Sequence, residues 1–305
     1  MPRIASIGEC MVELSPRQGG LFGLGFGGDT LNTAIYLARL GQTVDYLTAL
    51  GDDPISDRML AAWAAEGVGT SQVRRMPGRL PGLYLIETDD KGERRFHYWR
   101  DRAPARELFA DEPPDLAPYD LIYLSGITLA IYGEAGRARL FDALDAARAR
   151  GARIAFDTNY RPRLWADASA ARAAMEAMLV RTDIALPGFD DACAIWGQGD
   201  AASHRARFRA LGAAEVVLKQ GPEPALIASV EGEVAVRADH VGRVVDSTAA
   251  GDSFNAGYLA ARLAGASPVE GARRAHHLAA AVIGHPGAII PRAAMPDSGI
   301  AALPA

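Results

Sequence analysis

Cysteine is scarce in this chain of 305 residues. Its two copies, Cys10 and Cys193, lie far apart and have no His or Cys neighbours at metal-ligand spacing. That argues against a disulfide framework and a zinc site, fits a reducing cytosol, and leaves both as small core residues. Blocks of Lys and Arg are absent, and the net charge of −5 argues against a nucleic-acid partner. No apolar stretch is long enough to span a membrane, and no signal peptide precedes the strand-like run at 4–7. Repeats and low-complexity tracts are missing too; the Ala/Arg-rich helices are a compositional bias. What remains is a globular composition, 49% hydrophobic and 23% charged, long enough for one large domain or one large and one small. A cytoplasmic enzyme is the expectation.

Short apolar runs alternate with amphipathic segments along the chain. Strands are predicted at 4–7, 44–49, 121–124, 153–156, 184–186 and 216–218, and helices at 31–40, 55–66, 134–150, 168–180 and 201–211. Asp53-Pro54 reads as an N-cap followed by Pro at the first helical position. This rhythm predicts an α/β fold with a mostly parallel sheet covered on both faces. Two stretches break it. Residues 11–15 read as a strand leading into the glycine-rich segment 19–28. Residues 82–88 and 94–99 flank Asp89-Asp90-Lys91-Gly92-Glu93, a hairpin signal. These extra strands predict a small β lid over the carboxyl edge of the sheet. Gly23-Leu24-Gly25-Phe26-Gly27-Gly28 matches G-x-G-x-x-G, but no buried strand precedes it, which argues against a nicotinamide site.

The densest chemical signal is Asp246-Ser247-Thr248-Ala249-Ala250-Gly251-Asp252-Ser253-Phe254-Asn255-Ala256-Gly257-Tyr258. It follows the β-branched pair Val244-Val245 and runs into an apolar-periodic segment, so a strand is expected to end in a small-residue turn opening onto a helix. Such a turn lets backbone N–H groups approach an anion, and the helix dipole favours negative charge there. Asp252 stands at its mouth. An N-cap role explains one Asp, but not the whole turn with Asp246 six positions earlier. The combination reads as a phosphoryl-transfer site, with amides for the migrating charge and a carboxylate base for an attacking hydroxyl.

Other segments carry two readings each. Gly27-Gly28-Asp29-Thr30-Leu31-Asn32 is either a glycine turn with Asp29 as N-cap, or a place where a polyol lies on backbone and binds Asp29 and Asn32. Asp157-Thr158-Asn159-Tyr160-Arg161-Pro162-Arg163 follows a buried strand at the edge where open α/β sheets bind ligands. Tyr98 and Arg100 share one face of the second hairpin strand, with Trp99 on the other. Arg100 and Arg161 are either surface side chains or forks for a carboxylate. Lys219-Gln220-Gly221 is a turn or the border of a nucleotide pocket, which Gly287 also helps shape. His97, His276, His277 and His285 have no partner spacing for a metal or a triad and read as structural.

With these residues in view, the chain resembles the ribokinase/PfkB carbohydrate kinases over nearly its whole length. The segment 246–258 is similar to that family's C-terminal signature, and residues 27–32 to its N-terminal sugar-binding motif. Within the family the likeness is greatest to members acting on 2-dehydro-3-deoxygluconate. It is carried by residues 7–15, 80–84, Tyr98-Trp99-Arg100, 159–165 and 287–292. The resemblance implies one ribokinase-like three-layer domain over 1–305, with a lid formed by about 9–28 and 80–104. It implies Asp252 as the base and the amides of Ala249, Ala250 and Gly251 as the anion hole. Gly28, Asp29 and Asn32 would hold the sugar-acid chain, with Tyr84, Tyr98, Arg100 and Arg161 around its keto and carboxylate end. ATP with Mg²⁺ is implied, bordered by Lys219, Gly221, Gly251 and Gly287, as is a monovalent cation such as K⁺ near Asp246.

The same resemblance implies phosphorylation at the 6-hydroxyl and a dimer formed through the lid. Two segments depart from the family pattern. Gly188-Phe189-Asp190-Asp191 replaces an Asn-x-x-Glu motif tied to Mg²⁺, leaving Asp191 to stand in for the acid, and Gly221-Pro222-Glu223-Pro224 alters a glycine-rich turn. Alternatives are a fructokinase or ribokinase-like kinase of a neutral sugar, a non-catalytic sugar-acid sensor, and the nicotinamide dehydrogenase disfavoured above.

Overall fold

A computed structural model describes residues 1–88 and 94–297. The chain begins with strands β1 (Arg3–Ile7), β2 (Met11–Pro16) and β3 (Phe22–Gly27), then helix α1 (Asp29–Arg39). Next come β4 (Thr43–Leu47), β5 (Ala49–Gly51), α2 (Pro54–Ala65), β6 (Arg74–Met76), β7 (Leu83–Thr88) and β8 (Arg94–Trp99). The middle holds β9 (Leu121–Ser125), α3 (Gly126–Ile131), α4 (Gly133–Arg148), β10 (Arg153–Asp157), α5 (Ala168–Leu179), β11 (Ile184–Ala185) and α6 (Phe189–Trp196). The last part holds α7 (Ala201–Ala210), β12 (Glu215–Gln220), β13 (Glu223–Ser229), β14 (Gly232–Val236), α8 (Ala250–Leu263) and α9 (Pro268–Ile283).

Eight strands form the large sheet in the order β14-β13-β12-β11-β10-β9-β1-β4. The six from β12 to β4 run parallel, and β13 and β14 add an antiparallel edge. Alternate residues of each strand feed two separate cores. Leu121 and Tyr123 pack with α1, α8 and α9, whereas Ile122 and Leu124 pack with α4, α5 and α7. This is the three-layer arrangement expected from strands buried on both faces. The cap at Asp53 is present too, its side chain accepting from the Ile55 and Ser56 amides.

A separate four-stranded sheet, ordered β3-β2-β7-β8, comes from the two stretches that broke the alternation. The hairpin turn predicted at 89–93 lies outside the described residues. The pattern Gly23–Gly28 is largely β3 itself, paired antiparallel to β2. Its glycines Gly23, Gly25 and Gly27 therefore lie within a strand and not in the turn after one, where a dinucleotide motif needs them.

One expectation is corrected. Val244 and Val245 form no strand and are exposed at 57% and 47%. The turn ahead of Asp252 is instead tethered to the end of α9, with Val245 N–H donating to the Ile283 carbonyl at 2.8 Å. Among the described residues no helix is long and apolar enough to cross a membrane.

Candidate active site

Strands β1, β9, β10 and β12 finish at the same edge of the large sheet, and the strand order reverses around β1. A crevice forms at such a reversal. Gly28 brings α1 into it. A Cβ at Gly28 would collide with the Glu9 carbonyl and stand 3.0 Å from Cys10 Cα, so a side chain there would push α1 away. Gly28, not Asp29, is the N-cap residue, and Asp29 opens the helix with its carboxylate turned to the site. There it accepts from Asn159 Nδ2 at 2.6 Å. Asn159 holds a φ of 26°, an unfavourable conformation for a residue with a side chain.

Asp252 enters from the opposite side. Ala249, in a left-handed conformation (φ 62°), occupies the N-cap position of α8, which places Asp252 in the first turn. Asp252 is therefore no cap. Its Oδ2 accepts from Asn32 Nδ2 at 2.8 Å, and its carbonyl accepts from Thr33 Oγ1 at 3.2 Å. Burial pushes its carboxyl up to about 7, with the Asp29 charge adding to the rise and the Asn32 amide pulling it back. Asp157 raises it further and Lys219 lowers it. A general base works best when its pKa lies near the working pH.

The sign of the pH dependence follows. A carboxylate serving as a base here would act deprotonated, so a kcat/KM that depends on it should fall about tenfold per pH unit below about 7 and level off above it. A pH–rate profile of the free enzyme checks this, the acid limb reporting the Asp252–Asp29 pair.

The amides ahead of Asp252 are not equivalent. The Ala250 N–H donates to the Ser247 carbonyl at 3.2 Å, whereas Ala249 and Gly251 make no such backbone bond among the described residues. The first N–H groups of a helix lack intrahelical partners and point at an anion. Ala249 and Gly251 thus leave N–H groups open at this helix start, whereas Ala250 does not.

Behind them lies a buried polar network. Lys219 Nζ donates to Asp157 Oδ2 at 2.8 Å and to Asn255 Oδ1 at 2.9 Å. Asn255 Nδ2 lies 2.6 Å from Asp157 Oδ2 and 3.0 Å from the Tyr123 hydroxyl. Asp191, in the first turn of α6, accepts from Thr158 Oγ1 and the Tyr160 amide, both at 3.1 Å. Burial and then the Asp157 charge raise its pKa. Asp246 binds the Thr248 amide at 3.0 Å and the Gly287 amide at 2.9 Å, tying the turn ahead of α8 to the segment after α9. Gly287 (φ 84°) and Gly221 (φ 60°) both adopt left-handed turns.

The residues expected around the substrate's acidic end are divided. Arg100 is 8% exposed and its guanidinium is ion-paired with Glu9, itself buried between β1 and β2. Arg161 is exposed and donates to the Tyr160 carbonyl at 3.0 Å. Among the described residues no contact joins the two arginines. The Tyr84 hydroxyl donates to Glu13, and burial pushes its pKa up. Tyr98 lies 47% exposed, with Arg100 at 6.0 Å from its ring centroid. The histidines are structural: His276 bonds the Val236 carbonyl and His285 that of Ala281, while His97 meets Glu87 and His277 meets Asp239. Both cysteines are free.

The profile of the pfkB family carbohydrate kinases matches residues 1–295. The chain belongs to this family. It is 48% identical over 307 residues to the 2-dehydro-3-deoxygluconokinase of Escherichia coli (strain K12), covering 96% of this chain and 99% of that one. A fructokinase of Klebsiella pneumoniae is more distant, 30% identical, with 85% of this chain and 83% of that one covered. The crystal structure of aminoimidazole riboside kinase from Salmonella enterica, complexed with aminoimidazole riboside and an ATP analogue, shares the ribokinase-like fold. Its TM-score is 0.85 at 22% identity, with 97% of each chain covered.

Several members of this site escaped the sequence reading. Asn255 stands one helical turn beyond Asp252 and so on the same side of α8, a spacing that makes it legible in retrospect. Segment 157–163 was read for its arginines, yet Asp157 and Asn159 make the site contacts. Glu9, Thr33 and Tyr123 sit on segments whose partners are distant in sequence and carry no local signal.

Proposed function

We propose that this protein transfers the terminal phosphoryl group of ATP to the 6-hydroxyl of 2-dehydro-3-deoxy-D-gluconate. The observation that carries the chemistry is the placement of Asp252, poised at about 7, beside the open N-terminus of α8. The substrate follows the full-length 48% likeness to a 2-dehydro-3-deoxygluconokinase, against 30% to a fructokinase. Asp252 takes the proton of the 6-hydroxyl, whose oxygen attacks the γ-phosphorus while the bond to ADP breaks. The Ala249 and Gly251 amides receive charge on the migrating group. Gly28, Asp29 and Asn32 hold the chain of the sugar acid, and Asn159 keeps Asp29 aimed at it.

The carboxylate of the substrate belongs to Arg161, with Tyr84 and Tyr98 walling the same end. Arg100 is engaged by Glu9 and sets the junction of the two sheets. The small sheet then acts as a lid over the crevice. Its exposed Phe22, Leu24 and Trp99 share one face of that sheet and are an apolar surface that a second copy of the chain covers.

Lys219, Gly221 and Gly287 border the nucleotide. Among the described residues no cluster of three or more His, Cys, Asp or Glu forms a metal cage. That donor set fits Mg²⁺ held chiefly by phosphates, with Asp191 as the adjoining carboxylate. Bound there, the ion would neutralise phosphate charge. A K⁺ requirement traced to the Asp246 loop belongs to the same reading.

Steady-state assays with the keto-deoxy acid, fructose and ribose test the proposal; a preference for fructose overturns the substrate. Arg161→Ala should raise KM for the acid by about 10- to 100-fold, the scale of a lost charge-assisted bond of about 1.5–3 kcal/mol. KM for ATP should stay within about twofold. Equal losses for both would remove Arg161 from the carboxylate.

A further inference from the structure

The chain contains only two lysines, Lys91 and Lys219, against 30 arginines. Where basic charge is otherwise supplied by Arg, an ammonium kept inside the crevice asks for a reason specific to its shape. An ammonium carries three donors on a compact point charge, whereas a guanidinium is a planar fork. Lys219 uses two donors, on Asp157 Oδ2 (2.8 Å) and Asn255 Oδ1 (2.9 Å). Among the described residues it makes no third hydrogen bond. Its side chain is 15% exposed, so the remaining N–H faces a space that is nearly dry yet reachable.

That space is the mouth of α8. A Cβ at Gly251 would stand 3.6 Å from Lys219 Nζ, its nearest neighbour from outside helix α8 among the described residues. Glycine at 251 thus keeps the gap between the ammonium and the helix N-terminus clear of side chain. The amides of Ala249 and Gly251, which make no backbone bond among the described residues, belong to this same helix start. Lys219 is also held in step with the base. Asn255 bonds Tyr123, the Tyr123 hydroxyl meets Thr33 Oγ1 at 3.3 Å, and Thr33 bonds the Asp252 carbonyl.

Resting on the kinase reading above, we propose that Lys219 is a catalytic residue whose third N–H touches the phosphoryl group in transit. In the step, the 6-hydroxyl proton passes to Asp252 and the sugar oxygen forms its bond to the γ-phosphorus. The bond to the β–γ bridging oxygen breaks, and its electron pair stays on ADP. Lys219 donates its third N–H to an equatorial oxygen, opposite the α8 amides. Asp157 and Asn255 are positioning residues that aim the ammonium.

The rival role for Lys219 is to neutralise buried Asp157, and the double variant Lys219→Met/Asp157→Asn separates the two. It removes both charges, so a merely structural lysine is no longer needed. With Lys219 in the reaction path, kcat should fall about 100- to 1000-fold, as for loss of one preorganised donor. Calorimetric titration with ADP alone and with ADP plus aluminium fluoride, a planar mimic of the migrating group, gives the second readout. In the presence of the sugar acid, the wild-type protein should bind the fluoride complex much more tightly than ADP. The double variant should lose that increment by a similar factor while its ADP affinity stays within about threefold.

Recovery of kcat and of the increment in the double variant would overturn the proposal, as would an equal loss of affinity for both nucleotides. Lys219→Gln keeps a neutral donor toward Asp157 and should give the same split, so the test does not hinge on one fold surviving. If the wild type rejects the keto-deoxy acid and accepts another sugar, the comparison is run with that sugar. The substrate assignment then fails without touching Lys219.

Discussion

Replacing Asp252 by Asn should lower kcat by about 100- to 10,000-fold, the usual share of a general base, while leaving sugar-acid binding close to wild type. An Asn side chain keeps an oxygen for the Asn32 amide, so the bond at 2.8 Å survives, but it takes no proton from a hydroxyl. The same variant should be more stable than the wild type at pH 8. Asp252 titrates at about 7 in the folded protein against an ordinary value of 3.8. A carboxyl whose pKa is raised by folding costs stability once the pH exceeds its unfolded value, and the full cost is present above its folded value. The gain in Tm should therefore grow between pH 4 and 7, plateau above, and vanish near pH 4. Near-normal turnover would remove Asp252 from the role of base. A Tm gain independent of pH would mean that the charge of Asp252, disfavoured first by burial and then by Asp29 and Asp157, is not its source.

The alternation of β1, β4, β9, β10 and β12 with helices was legible because those strands are largely buried and read as short, mostly apolar runs. Asp252 and its turn were legible for a local reason: small residues, a helix start and an acid are contiguous. What escaped depends on partners far apart in the chain. The strand Phe22–Gly27 is hidden by its glycines, since its place in the sheet comes from backbone pairing to β2. Strand β13 begins at Glu223-Pro224, and the proline masks it; it is tolerated because pairing with β14 starts only at Ala225. Val244 and Val245 misled in the opposite sense, with strand propensity but with the Val245 amide bonded to the end of α9 instead of to a strand. Arg100 was read for its charge; only the fold reveals that Glu9, 91 positions earlier, takes that charge.

Removing that arginine should be the most damaging single change to stability. Glu9 and Arg100 are 1% and 8% exposed, and they sit where the chain passes between the large and small sheets, at the start of β2 and the end of β8. Burial raises the Glu9 pKa and the Arg100 charge holds it back. Glu9 Oε1 and Arg100 Nε already lack hydrogen-bond partners, so the pair has no reserve of donors to take over. Arg100→Ala leaves a buried carboxylate uncompensated, a loss of about 3–5 kcal/mol, or roughly 10 °C in Tm. The loss should be greatest at neutral pH and ease in acid, because without Arg100 the Glu9 pKa rises further and protonation removes the stranded charge. Urea unfolding of Arg100→Ala at pH 5 and pH 7.5 measures this. The double change Glu9→Met/Arg100→Met should recover most of the stability, since replacing a buried pair by apolar residues is often neutral. Its kinetics then decide what the pair is for. If it fixes the angle of the small sheet over the crevice, the refolded double variant should still show a raised KM for the sugar acid at nearly unchanged kcat. A wild-type KM in that variant would reduce the pair to a structural tie.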